Sequence, residues 1–451
     1  MRAPNSGNRR SGTAALALAL ALIGAASMVY YQFGLFMPRV EAARAAKHLA
    51  GRYAFGDDFY PIWLTSREWL QQHRDPYSPA VTRDIQIGIF GRPLEAGILT
   101  DPPTDYRTFA YPAFTDLLLW PASEVPFPTL RVAWAVILAA LIAAAIFFWT
   151  QALSWSVSRI WLGIISLLTL CSYPELEGLY AGQLGLLVGF LLAASLLALV
   201  RGRLLLAGIL MALTMIKPQM TLLAILYLFI WSVHDWRRRG RFSVAFFATS
   251  SLLTVASLAV WPHWIQSWGR VILGYHRYSM PPLALELFGF SLGPRNGIAL
   301  IVIVLTAALV LAWRSRTAAA GSYEFWLTLS ILLAITTITV LPGQSVCDHI
   351  ILLPGIFLLA SRNQLQHASP ISRVLLALGV VVLLWPWVAS LGLIALRPFL
   401  SPELFNSKAV FVLPLRTAAA FPFVVLGLLA LAFRATLRRQ GELVSGSLPR
   451  R

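Results

Sequence analysis

Charge is scarce in this chain. Asp, Glu, Lys and Arg make up 12% of its 451 residues, against about 25% in an ordinary soluble domain, which excludes a water-facing globular surface of normal size. Cysteine is almost absent. The two present, Cys171 and Cys347, each lie in or beside an apolar run, so there is no disulfide framework and no CxxC pair. No Walker loop, GxSxG or HExxH occurs. Internal repeats are lacking too, as is low complexity beyond an Ala/Leu richness. Apolar residues are abundant: 58% of the chain is hydrophobic and the mean hydropathy is +0.71. This is the composition of an all-α polytopic membrane protein.

A spanning helix needs about 20 apolar residues. By that ruler there are twelve candidates, near 13–33, 129–150, 158–174, 181–200, 204–216, 218–233, 242–261, 297–313, 324–341, 349–360, 374–395 and 411–433. The first follows Arg9 and Arg10 as a signal peptide would. Bulky Met28, Val29, Tyr30 and Tyr31 stand where a small-residue cleavage site belongs, so it reads as an uncleaved anchor.

The net charge of +17 could indicate nucleic acid, but the basic residues lie in short clusters between apolar runs, which argues for membrane orientation and no nucleic-acid partner. Placing the N-terminus in the cytoplasm and crossing twelve times puts inside Arg201/Arg203, Arg237, Arg238, Arg239 and Arg241, Arg314/Arg316, Arg362/Arg373, and a basic tail with Arg434, Arg438 and Arg439. That is the positive-inside pattern. Arginine clusters before and after 204–233 both want the cytoplasm, so this stretch is two short helices rather than one. Sixteen of the 19 acidic residues then fall outside, leaving Asp235, Glu324 and Glu442 inside. The expectation is one integral domain over 1–451 in the cell membrane, both termini cytoplasmic, with 434–451 as the cytoplasmic tail. The polar working surface is outside, on large loops at 34–128 and 262–296. Inner loops are too short to house a nucleotide-binding domain, which argues against an ATP-driven pump or a nucleotide-sugar enzyme working from the inside.

Six stretches carry polar chemistry. In GDDFYPIW (56–63), Asp57 and Asp58 are adjacent carboxylates whose repulsion raises one pKa, useful in a base; the alternative is a helix N-cap. Trp63, Arg67 and Leu70 follow at the spacing of an amphipathic helix lying along the membrane. TFAYPAFTDLLLWP (108–121) reads as a re-entrant or interfacial helix, with packing as its main role. In YPELEGLYAGQLG (173–185), Glu175 and Glu177 sit at an outer helix junction, and Gln183 opens the next span between Gly182 and Gly185, which permit close approach. Lys217, in IKPQM (216–220), is an ionisable residue between apolar runs, suited to a phosphate or else snorkelling to the interface. Arg270, His276 and Arg277 alternate with Trp and Tyr through 261–282, as a donor-binding loop or a plain aromatic belt. Asp348 and His349 form a pair that could orient a tautomer, bind a metal, supply a proton or simply cap a helix. Two such groups fall short of a zinc set.

The ordered set resembles glycosyltransferase family 87, of the GT-C superfamily. The set is Asp58-Phe59 before an aromatic-rich helix, Asp75-Pro76-Tyr77, a Tyr-Pro-led apolar segment, Gly182-Gln183, Ala207-Gly208 to Lys217-Pro218, and a late Asp348-His349. The resemblance runs over about residues 55–360. It implies a GT-C fold with about 12 transmembrane helices and amphipathic interfacial helices on the first outer loop. The implied activity moves a sugar, mannose foremost, from a polyprenyl-phosphate donor on the outer face. Asp58 matches the acidic residue that acts as catalytic base. Asp57 has no counterpart, His349 matches an active-site histidine, and Lys217 lies where a phosphate contact is placed. The 262–296 loop departs from the family's usual pattern, leaving the acceptor open.

Asp58 is thus expected as base of an inverting transferase. His349, oriented by Asp348, is expected at a reacting oxygen. Asp57, Gln183, Lys217, Arg270, His276, Arg277 and Asp348 are expected to bind substrate. The partners are the lipid-linked donor, a lipid or glycan acceptor and membrane lipid. No cofactor is required, and a divalent metal is compatible but not needed. The other class to weigh is a lipid or glycan transporter or flippase, for which inverted repeats and charges paired at mid-depth are lacking.

Overall fold

The computed structural model describes residues 6–343, 345–361 and 370–444. Arg362 of the expected inner clusters and residues 445–451 of the basic tail lie outside them. The described chain is helical from end to end, and its one β pairing is an isolated bridge between Pro282 and Pro342.

The first span is longer than expected. Helix α1 (Ser6–Val29) passes through a π-helical turn (Tyr30–Phe36) into α2 (Met37–Ala45), so one helical rod with an apolar first part reaches from Thr13 to Ala45. The first loop therefore begins after residue 45 rather than at 34. Buried Met28 and Tyr31 pack here against Leu393, Phe405 and Phe411, and the Tyr31 hydroxyl donates to Phe411 O at 2.8 Å. That packing carries the helix past the end of the apolar run.

Three helices fill the first loop: α3 (Tyr60–Leu70), α4 (Pro79–Phe90) and α5 (Phe114–Ser123). The helix expected around Trp63, Arg67 and Leu70 exists as α3, but it does not lie on a surface. Ile62 and Trp69 are buried on it along with Thr65, Ser66 and Glu68, so both faces are covered. The Trp63 indole N–H donates to Val125 O at 2.9 Å, and Arg67 covers the Trp63 ring. Asp116 of α5 clamps α3 by accepting from the Thr65 and Ser66 hydroxyls at 3.1 and 3.2 Å. That carboxyl is wholly buried with Oδ2 unpartnered among the described residues.

The bundle follows as α6 (Phe127–Ala152), α7 (Arg159–Leu170), α8 (Tyr173–Ala181), α9 (Leu184–Val200), α10 (Leu204–Leu213), α11 (Leu222–His234) and α12 (Trp236–Val260). The second loop folds as α13 (Trp264–Gly274) and α14 (Leu283–Leu292). After it come α15 (Pro294–Arg314), α16 (Tyr323–Thr339), α17 (Leu353–Ser361) and α18 (Pro370–Leu396). The short α19 (Pro402–Asn406) and α20 (Lys408–Phe411) precede the last helix, α21 (Phe421–Val444). Every one of the twelve apolar runs is helical. Among the described residues, however, only six helices are long and apolar enough to cross a membrane alone, or seven if α8 and α9, bent by 117° at their junction, count as one span. The others are interrupted: α10 and α11 stop on either side of Lys217-Pro218, and α16 ends before the turns that carry Asp348. At about 1.5 Å per residue, the 17 residues of α16 rise roughly 25 Å. Its residues Phe325 to Thr339 are buried without a break, as a helix apolar on all sides must be when it forms the core.

Arg239 donates to Trp231 O and to Arg316 O at 3.2 and 3.0 Å, so two of the expected inner arginine clusters meet at one end of the bundle. Helix α11 runs from His234 near that end to Leu222, about 20 Å away.

Gly208 lets α10 lie directly on α12. A Cβ there would collide with the Phe242 carbonyl oxygen and come within 2.8 Å of the Ala245 Cβ, so small-residue contact holds the pair. Gly208→Ala is expected to destabilise the protein by about 1–3 kcal/mol, the usual range for overpacking, read as a lower unfolding temperature in detergent. Burial pushes the Asp116 carboxyl well above its usual value, only partly opposed by the Thr65 and Ser66 hydroxyls. A raised folded pKa favours folding below the unfolded value of about 3.9 and loses that benefit as pH rises toward the folded one. Asp116→Asn, neutral at every pH, should therefore gain on wild type as unfolding is followed from about pH 5 to about pH 8. Wild type gaining stability relative to Asp116→Asn over this range would contradict this.

Candidate active site

The site is assembled where helices break. Gly56, with φ +84, turns the chain so that the Gly56 and Asp58 amides donate to Tyr180 O and Ala181 O at 2.9 and 3.0 Å. Those carbonyls end α8. Gly182, with φ +72, then reverses direction, and a Cβ there would press within 2.9 Å of the Phe59 Cβ. Phe59 stacks on Trp134 at 4.4 Å, and the Trp134 indole N–H donates to Gly182 O at 3.0 Å. Asp58 is thus set beside Gln183, the residue that opens α9.

Gln183 links two charges. Its side-chain amide donates to one oxygen of Asp58, and its Oε1 accepts from Lys217 Nζ at 3.2 Å. The Lys217 ammonium also donates to Asp348 Oδ1 at 2.7 Å, with both side chains nearly inaccessible to solvent. Gly185 is required for this approach, because a Cβ at that position would strike Asp348 Oδ1. On the other side, Arg107 bridges both aspartates, contacting Asp58 with one terminal nitrogen and Asp57 Oδ2 with the other at 2.7 Å. Arg44 adds a longer contact to Asp57 at 3.4 Å. The expected repulsion between adjacent carboxylates is therefore met by a guanidinium between them. Burial is the largest influence on Asp57 and holds its carboxyl above the usual range; Arg107 opposes and the charge of Asp58 adds to the rise. Arg107 itself sits at φ +69, a left-handed conformation costing about 1–2 kcal/mol for a residue with a Cβ. The two ion pairs hold it there.

A cavity of about 900 Å³ opens onto this network. Polar Asp58, Glu177, Gln183 and Lys217 line it, together with the aromatic Tyr111, Trp268 and Tyr275. Apolar Leu222, Ile272 and Leu285 also line it. The second loop closes one flank: Arg277 pairs with Asp105 at 2.8 Å, the Trp268 indole donates to Ala110 O at 3.0 Å, and Gly343 donates to Pro281 O at 3.0 Å. Burial pushes the Tyr111 hydroxyl upward from its usual value, leaving it a neutral hydrogen-bonding group.

Of the residues expected from sequence, Asp58, Gln183, Lys217 and His276 line the cavity, while Asp57 and Asp348 stand behind it in the same network. The rest are placed elsewhere. Arg270 is exposed and hydrogen-bonds Gln266 O and Ser267 Oγ of its own helix. Exposed Arg277 is committed to Asp105. His349 does not line the cavity: its ring is buried 6.5 Å from the Phe421 ring, and Nδ1 has no partner among the described residues. The expected orientation of His349 by Asp348 is corrected accordingly, since successive residues of one tight helical turn point in different directions: Asp348 Oδ1 accepts from Lys217, while neither Asp348 Oδ2 nor His349 Nδ1 has a partner among the described residues. Sequence reasoning missed Arg107, one of many arginines in the first loop, whose left-handed backbone leaves no signature. It also assigned the Tyr111-Pro112 segment to packing, although Tyr111 is a cavity wall. Among the described residues, no three His, Cys, Asp or Glu side chains are grouped so as to hold a metal ion.

Removing Arg107 would leave Asp57 buried with only the distant Arg44. Arg107→Ala is expected to cost about 3–5 kcal/mol, as for other broken buried pairs, and Asp57→Asn in the same chain should restore part of it. Unfolding in detergent of the two single variants and the double variant tests this coupling.

A sequence model of glycosyltransferase family 87 matches residues 109–342. No curated protein and no solved structure matches the chain. The match takes in Tyr111, Gln183 and Lys217, whereas Asp58, Arg107 and Asp348 flank it and join the site only through the fold. Because the match spans more than half of the sequence, the chain belongs to glycosyltransferase family 87.

Proposed function

We propose that this protein is an inverting transferase of the cell membrane. It moves a sugar, mannose foremost, from a polyprenyl-phosphate donor to a hydroxyl of a lipid or glycan acceptor on the extracytoplasmic face. The observation that carries this reading is the cavity itself, which holds a carboxylate and an ammonium joined through one amide, beside an apolar wall. Asp58 takes the proton of the acceptor hydroxyl. The acceptor oxygen bonds to the anomeric carbon as the bond from that carbon to the phosphate oxygen breaks, and the electron pair leaves with the polyprenyl phosphate. A carboxylate fixed at both oxygens by Arg107 and Gln183 is held in orientation, which is what general-base catalysis requires.

Lys217 suits the leaving phosphate. Its ammonium has three N–H donors, of which two go to Asp348 and Gln183. The third is left for a phosphate oxygen, and a preorganised cation in a dry site acts strongly on developing charge. Leu222 and Ile272 line the cavity yet are 48% and 43% exposed, so the apolar wall continues outward to where a polyprenyl chain lies in lipid. The arginine clusters at the opposite end of α11 are the basis for placing this cavity outside.

Purified protein in lipid, given radiolabelled polyprenyl-phosphate mannose and a membrane extract, should move label into a new product. Asp58→Asn should lower that rate by about 10²–10⁴-fold while folding like wild type. Full activity in Asp58→Asn would overturn the base assignment. Wild type silent with the mannose, glucose and arabinose donors would overturn the reading as a whole.

A further inference from the structure

Glu177 is left over by the mechanism above. It lies on α8 three and four residues before Tyr180 and Ala181, on the helix face whose carbonyls accept the Gly56 and Asp58 amides. That register puts it on the cavity wall beside Asp58. Its Oε2 accepts from Gln32 Nε2 at 2.8 Å, while Oε1 has no hydrogen-bond partner among the described residues.

Gln32 is an unusual partner. It is completely buried, its own Oε1 has no partner among the described residues, and it sits in the π-helical turn of the first span. Such turns widen a helix locally and recur at functional sites. A wholly buried amide would ordinarily be costly in an apolar span, and here its side-chain hydrogen bond holds a carboxylate at the cavity. Glu177 is thus fixed at one oxygen and open at the other.

In its ionised form Glu177 is acceptor-only, and the groups it then binds are hydrogen-bond donors. With Asp58 adjacent, an anionic group on this wall would face two carboxylates and be repelled. Two cations line the cavity: Lys217 is reached through Gln183, and Arg107 is already paired with Asp58 and Asp57. Tyr106, Tyr111, Trp268 and Tyr275 supply flat apolar surface in the same cavity, and aromatic faces beside fixed polar groups match a sugar ring with apolar faces and a hydroxyl rim.

Resting on the transferase reading, we propose that Glu177, held by Gln32, binds hydroxyls of the acceptor next to the one that Asp58 deprotonates. The acceptor then presents a neutral sugar ring carrying at least two adjacent hydroxyls to this wall, rather than a phosphorylated or carboxylated end. Glu177 is a specificity residue and takes no proton in the transfer.

The test uses full-length protein in lipid, labelled polyprenyl-phosphate sugar and serial dilutions of membrane extract as the acceptor pool, so the acceptor need not be identified beforehand. Glu177→Ala should raise the extract concentration giving half-maximal rate by roughly tenfold or more, the effect of losing a hydrogen bond to a charged group. The donor concentration for half-maximal rate should not move. Glu177→Gln, which still accepts hydrogen bonds through its carbonyl, should recover part of the loss and guards against misfolding of the alanine variant. Gln32→Ala should shift the acceptor dependence in the same direction by less. An unchanged acceptor dependence in Glu177→Ala, or a fall in maximal rate with both half-saturations unmoved, would overturn the assignment while leaving the transferase standing. Wild type silent with every donor would overturn both.

Discussion

A lysine ammonium taken into a bundle of apolar helices must meet an opposite charge, because a lone buried cation is unaffordable. Lys217 is that cation, and much of the site follows from satisfying it. Asp348 reaches it only because residue 185 has no side chain. Gln183 accepts a hydrogen bond from the ammonium and turns its amide to Asp58. From Asp58 the chain of contacts continues through Arg107 to Asp57. Segments from the first loop, the α8–α9 junction, the α10–α11 break and the stretch after α16 are thereby tied at one place.

The same requirement explains the short helices. A backbone in lipid must keep its hydrogen bonds internal, and irregular structure is tolerated only where protein or an aqueous cavity surrounds it. The breaks at Gly182-Gln183, at Lys217-Pro218 and before Asp348 all gather around the cavity, while the long helices α6, α12, α15 and α18 expose apolar side chains outward. The short helices α10, α11 and α16 end at or beside residues that line the cavity.

Several elements of this arrangement were legible in the sequence. All twelve apolar runs became helices, and the break at Lys217 was visible as a charge before a proline. Gly182 and Gly185 were read as permitting close approach, and the structure shows what approaches: Phe59 at the first and Asp348 at the second. Other expectations failed for physical reasons. Trp63, Arg67 and Leu70 have amphipathic spacing, but α3 is enclosed by α4, α5 and α6 and has no free polar face. The expectation that Asp348 orients His349 relied on their adjacency, yet neighbours in a helical turn do not share a direction. Arg107 could not be singled out, since nothing in its spacing distinguishes it from the other arginines of its loop.

The sequence by itself determined the class of molecule, the apolar helices, their polarity of charge from end to end and the polar residues available for chemistry. These are local properties, set by transfer energies and helix periodicity along a short stretch of chain. Only the tertiary structure decided which of those polar residues share a cavity. Asp58, Gln183, Lys217 and Asp348 are separated by up to 290 positions in the chain, and their meeting depends on bend angles, glycine clearances and side-chain directions that arise when the helices pack. The same packing buried His349, spent Arg277 on Asp105 and brought in Arg107 and Glu177. A charge in an apolar interior goes where its partner can reach, and that reach is a property of the folded bundle.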